Sequence, residues 1–205
     1  MKHIFYHLTA VMVVVVWGMT FISTKVLIVH GLSAQEIFLF RFLLAYAAVC
    51  PISFHRFFAR NLKDELYLVG GGVLGGSLFF FLQNIALGLT QASNVSFIIC
   101  MAPLLTAVLT VLSVRTEKVS RGFIYGSIIA LLGVGLLIFN GSFILRISPL
   151  GDLLTLLASL SWAFYSLVIR SLTRKYSPAF ITRKIFFYGI ITILPTFFFL
   201  PSLIN

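Results

Sequence analysis

Acidic side chains are scarce: five Asp and Glu stand among 205 residues, against fifteen Lys and Arg. Charge of either sign is low altogether, at 10% of the chain, where an average soluble domain carries about a quarter. So few charges cannot coat a water-facing surface, which excludes an ordinary soluble domain. Only two cysteines occur, Cys50 and Cys100, both in apolar stretches where a thiol behaves as a small hydrophobe, so no disulfide is expected. His3 and His7 have HxxxH spacing but no third ligand in sequence, and no metal is expected there. Catalytic signatures are missing as well. The chain has no HExxH, no GxSxG and no paired acids within an apolar stretch, so no enzyme activity is expected.

One motif points the other way. Gly70, Gly72 and Gly75 in GGGVLGG spell GxGxxG, the glycine pattern of a dinucleotide-binding loop. That pattern works only after a strand, at the start of a helix, and with an acid about 20 residues further on for the ribose. No acid occurs between Glu65 and Glu117, and Gly75 is followed by Gly76 and Ser77 where a phosphate loop needs Lys. No nucleotide, and no other cofactor, is expected.

What the chain has in abundance is apolar residues: 60% hydrophobic, 22 Phe, mean hydropathy +1.09. They fall in seven blocks, at 8–28, 34–54, 66–87, 92–113, 121–140, 150–170 and 181–204. Each is about 20 residues, the length of helix that crosses about 30 Å of hydrocarbon. The first block outruns the apolar core of a signal peptide and no AxA-like cleavage site follows it, so it is expected to stay as a helix. The sequence thus predicts an all-α polytopic membrane protein with seven transmembrane helices.

The net charge of +10 reports orientation. With the N-terminus inside, twelve Lys and Arg fall on the cytoplasmic side, among them Lys2, Arg56, Arg115, Lys118, Arg183 and Lys184. Only Arg146 lies in an external loop, with Lys25 and Arg41 embedded toward outer helix ends. That asymmetry fixes the N-terminus in the cytoplasm and the chain in the cytoplasmic membrane, attracted to anionic lipid, with no nucleic-acid partner expected.

The glycines then read as packing. Gly71 with Gly75, Gly72 with Gly76, and Gly122 with Gly126 are small-xxx-small pairs that let a neighbouring backbone approach where lipid supplies no hydrophobic drive. A moving hinge is the alternative reading. Pro103 is expected to kink its helix and free carbonyls that a neighbour or a cavity must satisfy.

WGMTFISTK at Trp17–Lys25 and WAFYSLVIR at Trp162–Arg170 share a Trp, a small residue next to it and a basic residue eight positions on. With this topology the first copy starts inside and the second outside, the mark of an inverted repeat of five helices. Trp17 and Trp162, with Thr20, Thr24 and Tyr165, are either core packing or facing walls of a central cavity. Lys25 and Arg41 either snorkel to the outer headgroups or bind an anionic part of a solute.

WGMTFISTK, SAQEIFLFRFLLA with its Arg41, QNIALGLTQASNVSFIICMAPLLTAVLTVLSVRTEKVS with Pro103 and Glu117, and the glycine-rich GFIYGSIIALLGVGLLIF resemble the drug/metabolite transporter superfamily, in particular its EamA-type ten-helix members. The resemblance spans nearly the whole chain. It implies one five-helix repeat at 1–142 and the first two helices of a second at 143–205, part of a ten-helix inverted-repeat fold. The remaining helices are expected from further sequence, from a second copy in a homodimer, or not at all, in which case the chain is a transporter fragment without activity of its own. The resemblance also implies export of a small metabolite or drug by alternating access, with Gln83, Asn84 and Asn94 lining the cavity. Helix capping is the competing role for these three amides. Partners expected are the small-molecule solute and the lipid bilayer.

Overall fold

The computed structural model describes residues 2–53, 57–113, 120–139 and 148–199. Helix α1 runs Lys2–Val29 and α2 Ala34–Val49, the latter ending in a 3-10 turn at Cys50–Ser53. Helix α3 (Leu62–Gly71), a π-helical segment at Gly72–Leu78 and α4 (Phe79–Leu89) form one unbroken rod. After it come α5 (Ala92–Ile99), α6 (Ala102–Ser113), α7 (Arg121–Phe139), α8 (Pro149–Arg170) and α9 (Pro178–Phe199). The described residues contain no strand. Six helical stretches among them are long and apolar enough to cross a membrane: Ile4–Val29, Ala34–Ser53, Leu62–Leu89, Ala92–Ser113, Pro149–Arg170 and Pro178–Phe198. The remaining apolar block is α7, whose described apolar part, Arg121–Gly133, is shorter. Arg56, Arg115, Glu117, Lys118, Asn140 and Arg146 lie outside the described residues.

Local chemistry sets the breaks. Gly31 takes a φ of 92°, open to glycine alone without strain, and turns the chain out of α1. Ser33 then caps α2 in a reciprocal box: its hydroxyl accepts from Glu36 N at 3.2 Å and the Glu36 carboxylate accepts from Ser33 N at 2.8 Å. Asn61 caps α3 by accepting from Asp64 N at 2.7 Å. The fourth block is split into α5 and α6 at Cys100–Met101, because Pro103 has no N–H to give the carbonyl four residues earlier. The neighbouring Ile98 carbonyl accepts from Ser159 of α8 at 3.4 Å, so the bundle supplies a donor at the break.

The rod and α8 form the centre. Helices α5 and α6 pack on α8; α9 packs on the π segment and α2; α1 lies on α4 and α5. One core joins Phe21, Phe79, Leu87, Val95, Ile99 and Ala158, and a second joins Leu68, Ile169, Leu172, Tyr176, Ile181 and Ile185. Outward faces stay apolar: Val11, Val13, Val14, Val15 and Val16 of α1 are all more than half exposed, as lipid-facing side chains are.

GGGVLGG is the point of closest approach. A Cβ on Gly72 would fall within 3.0 Å of Tyr188 Cβ and 3.2 Å from Gly189 N, and one on Gly76 would lie 3.3 Å from Gly189 Cα. Gly75 sits under the Tyr165 ring and Gly71 between the ends of Ile169 and Ile185. Widening to a π turn leaves a carbonyl short of its usual partner, and Ser161 of α8 donates to Leu74 O at 2.7 Å. Gly122 and Gly126 differ: among the described residues nothing lies within 4 Å of where their Cβ atoms would be, so none of the described helices is brought against those positions.

Candidate functional site

Aromatic rings meet where α1, α4 and α8 cross. The Trp17 and Trp162 centroids are 6.0 Å apart; Trp162 lies 4.8 Å from Phe79 and 5.1 Å from Tyr165. Trp17 also reaches Phe21 at 6.5 Å. Thr20 is half-buried, its hydroxyl donating to Trp17 O at 2.6 Å, the way a lone hydroxyl in a helix satisfies itself.

Below Trp162 a cavity of about 730 Å³ opens between α6, α8 and the start of α7. Ligand pockets commonly enclose about 300–1,000 Å³, so this one is large enough for a small solute. Trp162, Phe123 and Leu167 supply apolar wall, and Thr106, Thr110 and Ser166 supply hydroxyls. Arg170 stands at its far end, eight residues or about 12 Å along α8 from Trp162. Pro103 lines it as well, so the broken helix borders the space. Of the expected solute-binding residues, only Trp162 lines it. Thr106, Thr110 and Ser166 escape sequence reading because each also bonds a carbonyl one turn back, at 2.9, 2.7 and 2.9 Å, as any helical Thr or Ser can. A detectable signal does exist: Thr106/Thr110 and Ser166/Arg170 are both i, i+4 pairs, each pair lying on one helix face.

The other expected residues gather toward the opposite end of the rod. Lys25 donates to Leu87 O and, at 3.0 Å, to Thr90 O, placing its cation on the carbonyl end of α4 where the helix dipole is negative. Asn94 donates to Thr90 Oγ1 at 3.4 Å. Thr24 is buried and accepts from Arg41 Nη1 at 3.2 Å, while the Arg41 guanidinium sits 5.5 Å over the Phe80 ring. Asn84 donates to Ala34 O at 3.0 Å and so ties α4 to α2. Among the described residues Gln83 Oε1 and Asn84 Oδ1 are buried acceptors without a donor, a costly arrangement in a low dielectric.

Two carboxylates at the start of α3 are engaged by basic and tyrosine side chains. Asp64, 2% exposed, accepts from Lys175 Nζ and from Tyr176 Oη, both at 2.8 Å. Its hydrogen bond and charge hold the Lys175 ammonium above the ordinary lysine range. Glu65 accepts from Lys184 and Tyr188, and from Ala59 N at 2.6 Å. Arg183 donates to Ser53 O, and both Arg183 and Lys184 are buried rather than lying as exposed interface charges. Spacing along a chain does not reveal such pairs, since 111 residues separate Asp64 from Lys175.

Neither the curated proteins nor the solved structures give a match to the chain. The family model of the EamA-like transporter family matches residues 4–139, which covers α1 to α7. Two-thirds of the chain lies within that match. The protein belongs to the EamA-like transporter family, a family of membrane transporters of small solutes.

Proposed function

We propose that this chain moves a small metabolite or drug across the cytoplasmic membrane, outward, by alternating access. The observation that carries the proposal is the cavity of about 730 Å³ running from Trp162 to Arg170. With the N-terminus cytoplasmic, as the distribution of Lys and Arg supports, the Arg170 end opens to the cytosol, the side from which an exporter loads. The solute class that fits has an apolar body for Trp162, Phe123 and Leu167, hydrogen-bonding groups for Thr106, Thr110 and Ser166, and an anionic group drawn by Arg170.

Passage to the other side needs the space to close below the solute and open above it. Trp162 lines the cavity and Trp17 meets it ring to ring, at the positions the two copies of the repeat share. The polar set beyond them, Thr24, Arg41, Gln83 and Asn84, is the next surface a solute meets. Rocking of α8 against the rod, about the glycine-packed π segment, exposes one set and then the other. The test is untargeted comparison of solutes released by cells producing the wild-type chain, Trp162→Ala or neither. Release of a solute class by the wild type alone supports export; identical profiles overturn it.

A further inference from the structure

At the end of the bundle where α2 finishes and α9 begins lies a second cavity, of about 440 Å³, away from Trp162. Ser53 closes one candidate span and Arg170 another, while Leu62 and Pro178 open the next two, so the space sits at headgroup depth. Arg60 and Lys175 enter it from its two connecting segments, and Ser53, Tyr176 and Ser177 add hydroxyls. Residues 57–65 and 170–184 together hold seven Lys and Arg against two carboxylates, and those two are already engaged by Lys175 and Lys184. The field in the cavity is therefore positive.

We infer that this cavity binds the phosphodiester headgroup of an anionic phospholipid. Arg60 is exposed, and its guanidinium can offer the paired donors that match phosphate oxygens. Its backbone N–H donates to Tyr176 Oη at 2.9 Å, so the residue is anchored whatever its side chain does. Lys175 keeps half its side chain exposed while paired with Asp64, leaving ammonium surface for a second anion. Ile52, 75% exposed, and Phe180 line the cavity, an apolar contact for an acyl chain that a soluble anion has no use for. Basic pockets between transmembrane helices on the cytoplasmic side are where anionic headgroups are recognised. The site would tie the α2–α3 connection to the α8–α9 turn through a lipid.

The test is lipid binding to the full purified chain in neutral detergent, read as retained lipid by native mass spectrometry and as thermal stabilisation. Dioleoyl phosphatidylglycerol is compared with dioleoyl phosphatidylcholine and with inorganic phosphate, for wild type, Arg60→Gln and Lys63→Gln. Lys63 is a basic control outside the cavity, its ammonium 6.0 Å over the Tyr67 ring. Phosphatidylglycerol is expected to be retained and to stabilise, phosphatidylcholine to do neither, and Arg60→Gln to weaken binding about fivefold, the value of one cation at a lipid surface. Stabilisation by inorganic phosphate alone, equally sensitive to Arg60→Gln, would keep the anion site and overturn its lipid occupant. Equal loss in Arg60→Gln and Lys63→Gln, or equal binding of the two lipids, would overturn the site itself. None of these readouts depends on transport.

Discussion

The indole rings of Trp17 and Trp162 face each other at 6.0 Å, although 145 residues separate them in the chain. The contact joins α1, inside the family match, to α8, beyond it. Trp162 is held by three rings and also forms the inner wall of the larger cavity.

Trp162→Ala removes three ring pairs, each contributing about 0.5–1.5 kcal/mol, so the loss in stability is expected at roughly 2–4 kcal/mol. Trp162→Phe should restore most of it. Transport is expected to fall at least about tenfold in the Ala variant and to recover only partly in the Phe variant, because the shorter ring leaves the cavity wall incomplete. Thermal unfolding in detergent and solute efflux measure the two effects separately.

Gly72→Ala and Gly122→Ala are chemically identical changes with opposite expected signs. At Gly72 the new methyl meets Tyr188 Cβ and the backbone of Gly189, neither of which can swing aside, and overpacking costs about 1–3 kcal/mol. At Gly122 it meets nothing and gains helix propensity, about 0.5–1 kcal/mol. Melting temperatures of the two variants should move in opposite directions. A loss at Gly122 equal to that at Gly72 would mean that this face of α7 packs against something beyond the described residues.

Much of this architecture is legible in the sequence because it follows from local rules. Apolar length gives the helices, Pro103 gives a break, and GGGVLGG gives a close helix contact. The π turn is not legible, because it depends on Ser161 arriving from α8 to take the Leu74 carbonyl. Nor are the partners of Asp64 and Glu65, which look like surface acids until the α8–α9 segment covers them. The cavity-lining hydroxyls are hidden for another reason: a Thr or Ser that bonds its own helix has the same sequence signature whether it faces lipid or a cavity.

Lys25 offers a direct separation of two roles. It holds the carbonyl end of α4, so Lys25→Met is expected to cost about 1–2 kcal/mol of stability through lost carbonyl contacts at a helix C-terminus. Lys25→Arg should retain part of it. If Lys25 acts only there, KM for the transported solute stays within about twofold while the amount of folded protein falls. A raised KM with unchanged stability would show instead that Lys25 binds solute.

Gln83 is expected to trade stability for function. Its Oε1 is buried without a donor, so Gln83→Met, similar in shape and apolar, should stabilise the resting protein by about 1 kcal/mol. If the oxygen receives a donor only as the solute passes or as α8 rocks, the same variant should transport more slowly. Higher melting temperature with undiminished efflux would remove Gln83 from the solute path.

Flux through the purified wild-type chain in proteoliposomes, beside Trp162→Ala and protein-free vesicles, tests the central claim most directly. Vesicles are loaded with solutes of the class released by producing cells, and the external solution is followed by mass spectrometry. The wild type should release one class of small amphipathic solute well above the protein-free rate, and Trp162→Ala, shown to be folded, should release it about tenfold more slowly. Equal release by the wild type and by folded Trp162→Ala would contradict the assignment of the cavity beneath Trp162 as the solute path.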